Sequence, residues 1–399
     1  MKKQQLILIH PIDPRGEKVG GIETHVRLLL QRHPEDFSVL LVGVDAKGDL
    51  TPGEVIKVQA GDREIEFLPV MAFDDETAKH AARKLTQSLT FRFTLALGRY
   101  YRTIYKLARR MPSSADLQRF EFALFAKALR VPIVQVVHGE GRKDQKMDSL
   151  IKKFWYIQAA NEKIALNLAD HILCVNPNIK KRIDENFPRF KDKSEVMTVS
   201  VDTKVYPPTP FVLGDDILKL VFTGRLDTFK DPPLMFRTIK RLAEKLDGKV
   251  EFHYVGTTDP HRYEEFKEIE HVTVRHGFQN AAGVASILSK VHAGIITSHF
   301  EGMPCFMLEV LSSGRPMGTI RLPQYDLIVK PGVSGFFVER ADTDEQSAEL
   351  MSDAFVELWS DIKEGRIDPA DVHQCIDPFT VDNQLPRVFE IHRKLVAAG

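Results

Sequence analysis

The chain has 399 residues, 43% of them hydrophobic, with 55 basic and 55 acidic side chains, enough to bury large cores and to divide into roughly two domains. No run approaches the roughly 20 apolar residues of a membrane span, so any membrane contact is expected to be peripheral. The cysteines Cys174, Cys305 and Cys375 are scattered without metal-ligand spacing, which fits a reduced cytoplasmic protein and excludes a disulfide framework.

Met1-Lys2-Lys3 followed by Leu6 to Ile9 has the look of a signal peptide. The apolar stretch is too short and ends at His10-Pro11, so it reads as the first strand. Strands are then expected near 37–42, 54–58, 64–68, 132–137, 171–175 and 195–199, with helices at about 22–33, 76–111, 119–130, 148–169 and 177–187. Between the first strand and first helix lies Val19-Gly20-Gly21-Ile22-Glu23-Thr24, where paired glycines let a loop approach a ligand just before a helix N-terminus. His138 ends a strand, where a lone histidine is more often structural than functional.

Charge is unevenly spread. Residues 1–200 hold 33 Lys and Arg against 25 Asp and Glu, and the remainder holds 22 against 30. The excess concentrates between 77 and 130, where twelve basic residues face only Asp116 and Glu121 and alternate with Phe91, Phe93, Leu95, Leu97, Tyr100, Tyr101, Ile104, Tyr105 and Leu107. A helical hairpin with apolar and cationic faces is expected, and Lys152-Lys153-Phe154-Trp155-Tyr156 adds a second basic and aromatic cluster. Such a surface suits core packing with solvated charges, or an anionic membrane or lipid-diphosphate acceptor. Nucleic acid is not expected, because no recognised binding module accompanies the patch.

At Val205-Tyr206-Pro207-Pro208-Thr209-Pro210 the texture becomes extended and poor in backbone donors. An interdomain linker is placed at 206–216, separating a first domain at 1–205 from a second at 217–376, with a terminal helix over 377–399. The second half restarts with a strand at 218–222, a helix at 232–247 and strands near 250–255, 272–275 and 293–297. Two consecutive βα arrays predict an α/β protein of two doubly wound, Rossmann-like domains facing each other across a cleft.

Two features of the second array point to chemistry. The strand ending at Phe222 leads into Thr223-Gly224-Arg225-Leu226-Asp227-Thr228-Phe229-Lys230-Asp231-Pro232, placing Arg225 and Lys230 where a diphosphate needs countercharge. The plainer alternative pairs them with Asp227 and Asp231. The strand at 293–297 leads into Ser298-His299-Phe300-Glu301-Gly302-Met303-Pro304-Cys305-Phe306-Met307-Leu308-Glu309, with Met303-Pro304 reading as a helix start. Glu301 in the loop and Glu309 on the helix would both face a ligand at the strands' carboxyl ends, where ionised carboxylates suit paired hydroxyl donors. Alternatively Glu301 is a solvated loop residue and Glu309 an early-helix acid favoured by the dipole.

Gly224-Arg225-Leu226 with Lys230, Glu301-Gly302-Met303-Pro304 to Glu309, Gly314-Arg315-Pro316 and Gly332-Val333-Ser334-Gly335-Phe336 together resemble the nucleotide-sugar domain of retaining glycosyltransferases of family 4. Gly20-Gly21-Ile22-Glu23, Val136-Val137-His138-Gly139 and Val201-Asp202-Thr203 with Tyr206-Pro207 resemble that family's N-terminal half. The resemblance implies the GT-B fold, with the terminal helix crossing back to the first domain. It implies Arg225 and Lys230 on the donor diphosphate, Glu309 on the ribose, Glu301 on the transferred sugar, and His138 positioning the sugar or reacting region. Gly20, Gly21, Gly224 and the backbone around Met303, Cys305, Phe306 and Met307 would complete the donor site. Pro304 replaces the family's commoner glycine and removes one N–H. Val199-Ser200 replaces its commoner Asn-Gly.

The resemblance further implies a nucleotide-sugar substrate, a UDP- or GDP-sugar, no cofactor and no metal. The literal Asp-x-Asp, Asp342-Thr343-Asp344, reads as an ordinary helix start. The acceptor would be a glycan, a glycolipid, including a lipid-linked precursor, or a small molecule. The competing readings are a sugar-nucleotide 2-epimerase of the same architecture and a non-catalytic nucleotide-sugar-binding protein.

Overall fold

The computed structural model describes residues 3–16, 20–73, 88–139 and 155–398. They form two compact units: the residues up to Val199 with Val381–Ala398, and Ser200–Thr380.

In the first unit, β1 (Gln4–Ile9), α1 (Gly21–Arg32), β2 (Phe37–Asp45), β3 (Ile56–Ala60) and β4 (Arg63–Ala72) are followed by α2 (Leu89–Arg99) and α3 (Tyr101–Ala108). Then come β5 (Ser113–Leu117), α4 (Ala123–Ala128), β6 (Ile133–Val137), α5 (Trp155–Leu168), β7 (His171–Cys174), α6 (Pro177–Asn186) and β8 (Ser194–Val196). The sheet order is β3-β4-β2-β1-β5-β6-β7-β8, parallel throughout except for the antiparallel β3–β4 edge pair. Leu6 to Ile9 and Val39 to Val42 are buried on both sides of the sheet, as expected of parallel strands covered by helices.

The basic segment departs from the single helix expected over 76–111. Residues 74–87 lie outside the described part, as do Lys152 to Phe154 of the second cluster. From Leu89 onward two helices meet at Tyr100, whose φ −98° and ψ 14° interrupt the helical path just after Gly98 and whose N–H still bonds back to Ala96. The expected helix at 119–130 shortens to a 3₁₀ turn at Phe120–Phe122 and α4.

β5 is a strand that periodicity does not reveal. Ser113, Ser114 and Asp116 are polar, yet the whole strand is buried between β1 and β6. Partners inside the unit satisfy the two serines: Ser113 Oγ lies 3.2 Å from Gln5 Oε1, and Ser114 Oγ lies 2.9 Å from His392 Nδ1. His392 belongs to α12 (Val381–Ala398), which packs on β1, β5 and α1 of this unit. Phe389 meets Phe37 at 5.0 Å between ring centroids, and Arg393 and Arg387 grip Asp36 and Glu195 at 2.7 and 3.1 Å.

The second unit contains β9 (Leu218–Thr223), α7 (Pro232–Lys245), β10 (Val250–Val255), β11 (Thr273–Arg275), α8 (Ala281–Leu288), β12 (Ala293–Ile296) and α9 (Cys305–Ser312). It continues through β13 (Met317–Ile320), β14 (Gly335–Val338), α10 (Asp344–Lys363) and α11 (Pro369–Gln374). The order β11-β10-β9-β12-β13-β14 is fully parallel and reverses between β9 and β12, the doubly wound pattern. On α7, Leu234, Met235, Thr238, Ile239 and Leu242 repeat at helical spacing on the buried face.

The proline-rich segment is fastened to this unit by Arg315. Its fully buried guanidinium donates to Thr209 O at 2.6 Å, Thr209 Oγ1 at 2.7 Å and Pro210 O at 3.1 Å.

Candidate functional site

Reversal of strand order means that the chain leaves β9 and β12 in opposite directions, opening space above the sheet's carboxyl edge, where open α/β sheets bind ligands. Both motifs singled out in the second half arise there. After β9, Gly224 has φ +139°. A Cβ there would approach nothing closer than 3.7 Å, so it is the backbone conformation that favours glycine. Leu226 anchors the loop: it is buried, its carbonyl accepts from Tyr263 Oη at 2.7 Å, and its N–H donates to Thr258 Oγ1 at 3.3 Å.

The loop ends in a turn at Thr228–Lys230 and a left-handed residue, Asp231, at φ 52°. Asp231 caps α7 and is committed elsewhere than to Lys230. Its Oδ2 accepts from Arg340 Nη1 at 2.7 Å and lies 3.3 Å from His299 Nε2. Arg340 Nη2 also donates to Thr297 O at 2.8 Å, tying the end of β12 to the start of α7. Sequence reasoning passed over Arg340, which lies 109 residues from Asp231 and carries no local signal.

Arg225 and Lys230 diverge. Arg225 pairs with Asp227 at 3.0 Å, the plainer partner expected from sequence, but its side chain remains 76% exposed. Lys230 is largely buried and donates to Glu301 Oε1. Its ammonium also lies 5.1 Å from the Phe229 ring centroid, and Phe229 stacks on Phe300 at 4.9 Å. Glu301 is buried rather than solvated. Its Oε1 accepts from Ser298 Oγ at 2.8 Å, and its carbonyl accepts from Gln324 Nε2 at 2.6 Å.

Pro304 occupies the cap position of α9, so the helix begins one residue after it and has no side-chain cap. Met303, Phe306 and Met307 bury their side chains, Phe306 edge-on against Phe222 at 5.7 Å, which leaves their backbone as the part able to meet a ligand. Met307 N–H already bonds Pro304 O at 3.1 Å. Burial beside Glu309 pushes the Cys305 thiol up to about 12, unsuitable for a nucleophile.

Glu309 lies one turn beyond Cys305. Burial raises its carboxyl to about 7, partly opposed by a hydrogen bond from Tyr206. Tyr206 is held in turn by Ser312 Oγ, which donates to its carbonyl at 2.7 Å. The second switch point thus brings Lys230, Glu301 and Glu309 around Cys305 at the start of α9, while Arg225 stays exposed on the loop after β9. Asp342-Thr343-Asp344 opens α10: Thr343 Oγ1 caps Gln346 N at 3.2 Å, and Asp344 pairs with Arg237 at 3.1 Å.

The first unit has its own switch point between β1 and β5. His10 follows β1, Gln118 follows β5 and His138 follows β6. Gly20 is the extended N-cap of α1, and a Cβ there would lie 2.4 Å from Glu23 Oε2. Gly21 is the first helical residue, and Glu23, in the first turn, lies 3.7 Å from His10. His138 Nε2 lies 2.6 Å from Gln118 Oε1, with the His25 ring 6.3 Å away edge-on. Burial first, then His25, His10 and Arg119, push the His138 imidazole down to about 3, so it is neutral at physiological pH.

Residues 218–360 match the family described as Glycosyl transferases group 1. Over 184 residues the chain is 27% identical to lipopolysaccharide 1,6-galactosyltransferase of Salmonella typhimurium, a match covering 43% of this chain and about half, 48%, of that relative. Sucrose-phosphate synthase from Thermosynechococcus elongatus superposes with a TM-score of 0.75 over 100% of both chains at 15% identity. Anabaena HepE, solved with UDP and glucose, superposes with a TM-score of 0.63 over 97% of this chain and 98% of its own at 12% identity. The fold is therefore that of the GT-B glycosyltransferases, and residues 218–360 carry a glycosyl transferases group 1 domain.

Proposed function

We propose that this chain is a retaining, metal-independent glycosyltransferase that moves a sugar from a UDP- or GDP-sugar to an acceptor glycan, glycolipid or small molecule. The observation that carries the reading is the pairing of Lys230 with Glu301 beside Glu309, with Arg225 exposed on the loop after β9, at the switch point of a domain matching glycosyl transferases group 1. Breaking the bond between anomeric carbon and diphosphate builds positive character on the sugar and negative charge on the leaving oxygen, so cations at the diphosphate lower the barrier. Lys230 and the exposed Arg225 supply them. In the retaining reaction the acceptor hydroxyl attacks on the face the diphosphate leaves and passes its proton to the departing phosphate oxygen.

Glu309 is assigned to the ribose hydroxyls and Glu301 to the transferred sugar, with Gly224 and the backbone at the start of α9 alongside the phosphates and sugar. His138, Gly20 and Gly21 of the first unit are assigned to the reacting region. The relative from Salmonella is named as a galactosyltransferase acting on lipopolysaccharide, which favours a lipid-anchored glycan as acceptor here. No described helix is long and apolar enough to cross a membrane. The protein is assigned to the cytoplasm, at the inner face of an anionic bilayer, through the basic first unit, where Leu95 and Leu124 are each 62% exposed and Phe91 and Tyr156 are exposed as well. A thermal-shift panel of UDP-, GDP- and ADP-sugars tests the donor assignment, because a ligand that binds only the folded protein raises its stability. Stabilisation by one nucleotide series is expected, and none by any would remove the assignment.

A further inference from the structure

Four buried polar groups of the first unit form a line that ends on His138. Ser114 Oγ lies 2.9 Å from His392 Nδ1 on α12. His392 Nε2 and Asp116 Oδ2, neither with a hydrogen bond of its own among the described residues, face each other at 3.5 Å. Asp116 Oδ1 accepts from Gln118 Nε2, and Gln118 Oε1 lies 2.6 Å from His138 Nε2. Asp116, Gln118 and His392 are all buried.

The donor and acceptor rules give this line a direction. A carboxylate only accepts, so Asp116 requires the NH₂ side of the Gln118 amide. The carbonyl side then faces His138, and a carbonyl oxygen only accepts, so the hydrogen between them must sit on His138 Nε2. In a neutral ring the other nitrogen, Nδ1, is then an acceptor. At the far end a hydrogen on His392 Nε2 suits the acceptor-only Asp116 carboxylate 3.5 Å away, and in that neutral tautomer Nδ1 accepts from Ser114.

We infer that Asp116 and Gln118, held by His392 of the terminal helix, fix His138 in the Nε2–H tautomer and so present its Nδ1 as an acceptor for a substrate hydroxyl. The low basicity of the buried ring keeps it neutral, so it receives a hydrogen bond without taking the proton. Asp116, Gln118 and His392 are positioning residues. The tautomer stands on the geometry of the first unit alone, whereas its use on a hydroxyl-bearing substrate rests on the transferase reading above.

Long-range ¹H–¹⁵N correlation on ¹⁵N-histidine-labelled protein, with His138 assigned by its loss in His138→Gln, tests this without substrate. At pH 7 the ring is expected neutral, with Nε2 protonated and Nδ1 bare. A protonated Nδ1, or a cationic ring, overturns the inference. In Asp116→Asn the new amide can donate to Gln118 and let it turn over, so His138 should populate both tautomers. The kcat for transfer should fall roughly tenfold to a hundredfold with donor KM little changed. His392→Gln, which keeps a donor, should retain more of both signatures than His392→Phe. A folded Asp116→Asn protein with the wild-type tautomer overturns the inference, and the wild-type spectrum decides if that variant does not fold. The expected tautomer without transfer from any donor supports the inference and counts against the transferase reading.

Discussion

Lys230 and Glu301, 71 residues apart in sequence, meet in a partly buried ion pair at the carboxyl edge of the second sheet. Ser298 also donates to the same carboxylate oxygen. The pair brings together one group assigned to the diphosphate and one assigned to the sugar, so a donor would exchange an internal partner for its own charges and hydroxyls.

Substituting Lys230 by Ala should cut transfer by roughly tenfold to over a hundredfold, the loss of one charge-assisted contact of about 1.5–3 kcal/mol, and more if that contact strengthens in the transition state. Arg225→Ala should lose transfer on a similar scale while leaving stability nearly unchanged, since its ion pair with Asp227 lies at the surface. Steady-state kinetics beside thermal melts check both. Near-wild-type turnover in the two variants would remove the diphosphate assignment.

The two carboxylates should separate by role. Glu309→Gln is expected to weaken free UDP or GDP and the nucleotide sugar alike, and Glu301→Gln mainly the sugar-dependent step. Calorimetric titration with nucleoside diphosphate and with intact donor distinguishes them, and equal loss of nucleotide affinity in both variants contradicts the division.

Burial holds the Glu309 carboxyl at about 7 in the folded chain, above its ordinary value of 4.5. A carboxyl raised by folding makes the native state less stable as pH climbs from the unfolded pKa through the folded one, with no penalty below about 4.5 and the full penalty above about 7. Glu309→Gln should therefore be more stable than wild type at pH 8, by on the order of 1–3 kcal/mol, and lose that advantage by pH 4.5. Denaturant titrations at the two pH values check the sign. The same or a larger advantage at pH 4.5 would show that something other than ionisation is responsible.

Vesicle sedimentation tests the surface assignment. Protein should pellet with vesicles containing anionic phosphatidylglycerol at low salt and be released at high salt, with little binding to neutral phosphatidylcholine, because each basic residue near the surface contributes about 1 kcal/mol screened by salt. Protein left in the supernatant with anionic vesicles at low salt would defeat the membrane proposal and leave the transfer reaction standing.

The alternation of strands and helices was legible because parallel strands carry continuous apolar runs such as Leu6–Ile9 and Val39–Val42. β5 was not, since its buried Ser113 and Ser114 meet partners as distant in sequence as His392. The four-residue strands β13 and β14 are too short to carry a period. At the second switch point Arg225, Lys230, Glu301 and Glu309 could be read because strand-end motifs place them directly. Gln324 holds Glu301, Tyr206 bonds Glu309 and Arg340 holds the neighbouring Asp231 through contacts that only the tertiary fold creates. Glu301 could have been a solvated loop residue on sequence grounds, and its burial against Ser298 and Lys230 decides otherwise.

A ¹H NMR time course of purified protein with UDP-glucose, UDP-galactose or GDP-mannose, with and without lipopolysaccharide core oligosaccharide, tests the central claim most directly. The anomeric signals report both consumption of the donor and the configuration of whatever is made. The account predicts donor consumption that depends on the acceptor, with a product of the same anomeric configuration as the donor. Inverted product, or conversion of the donor to its 2-epimer without acceptor, would contradict it.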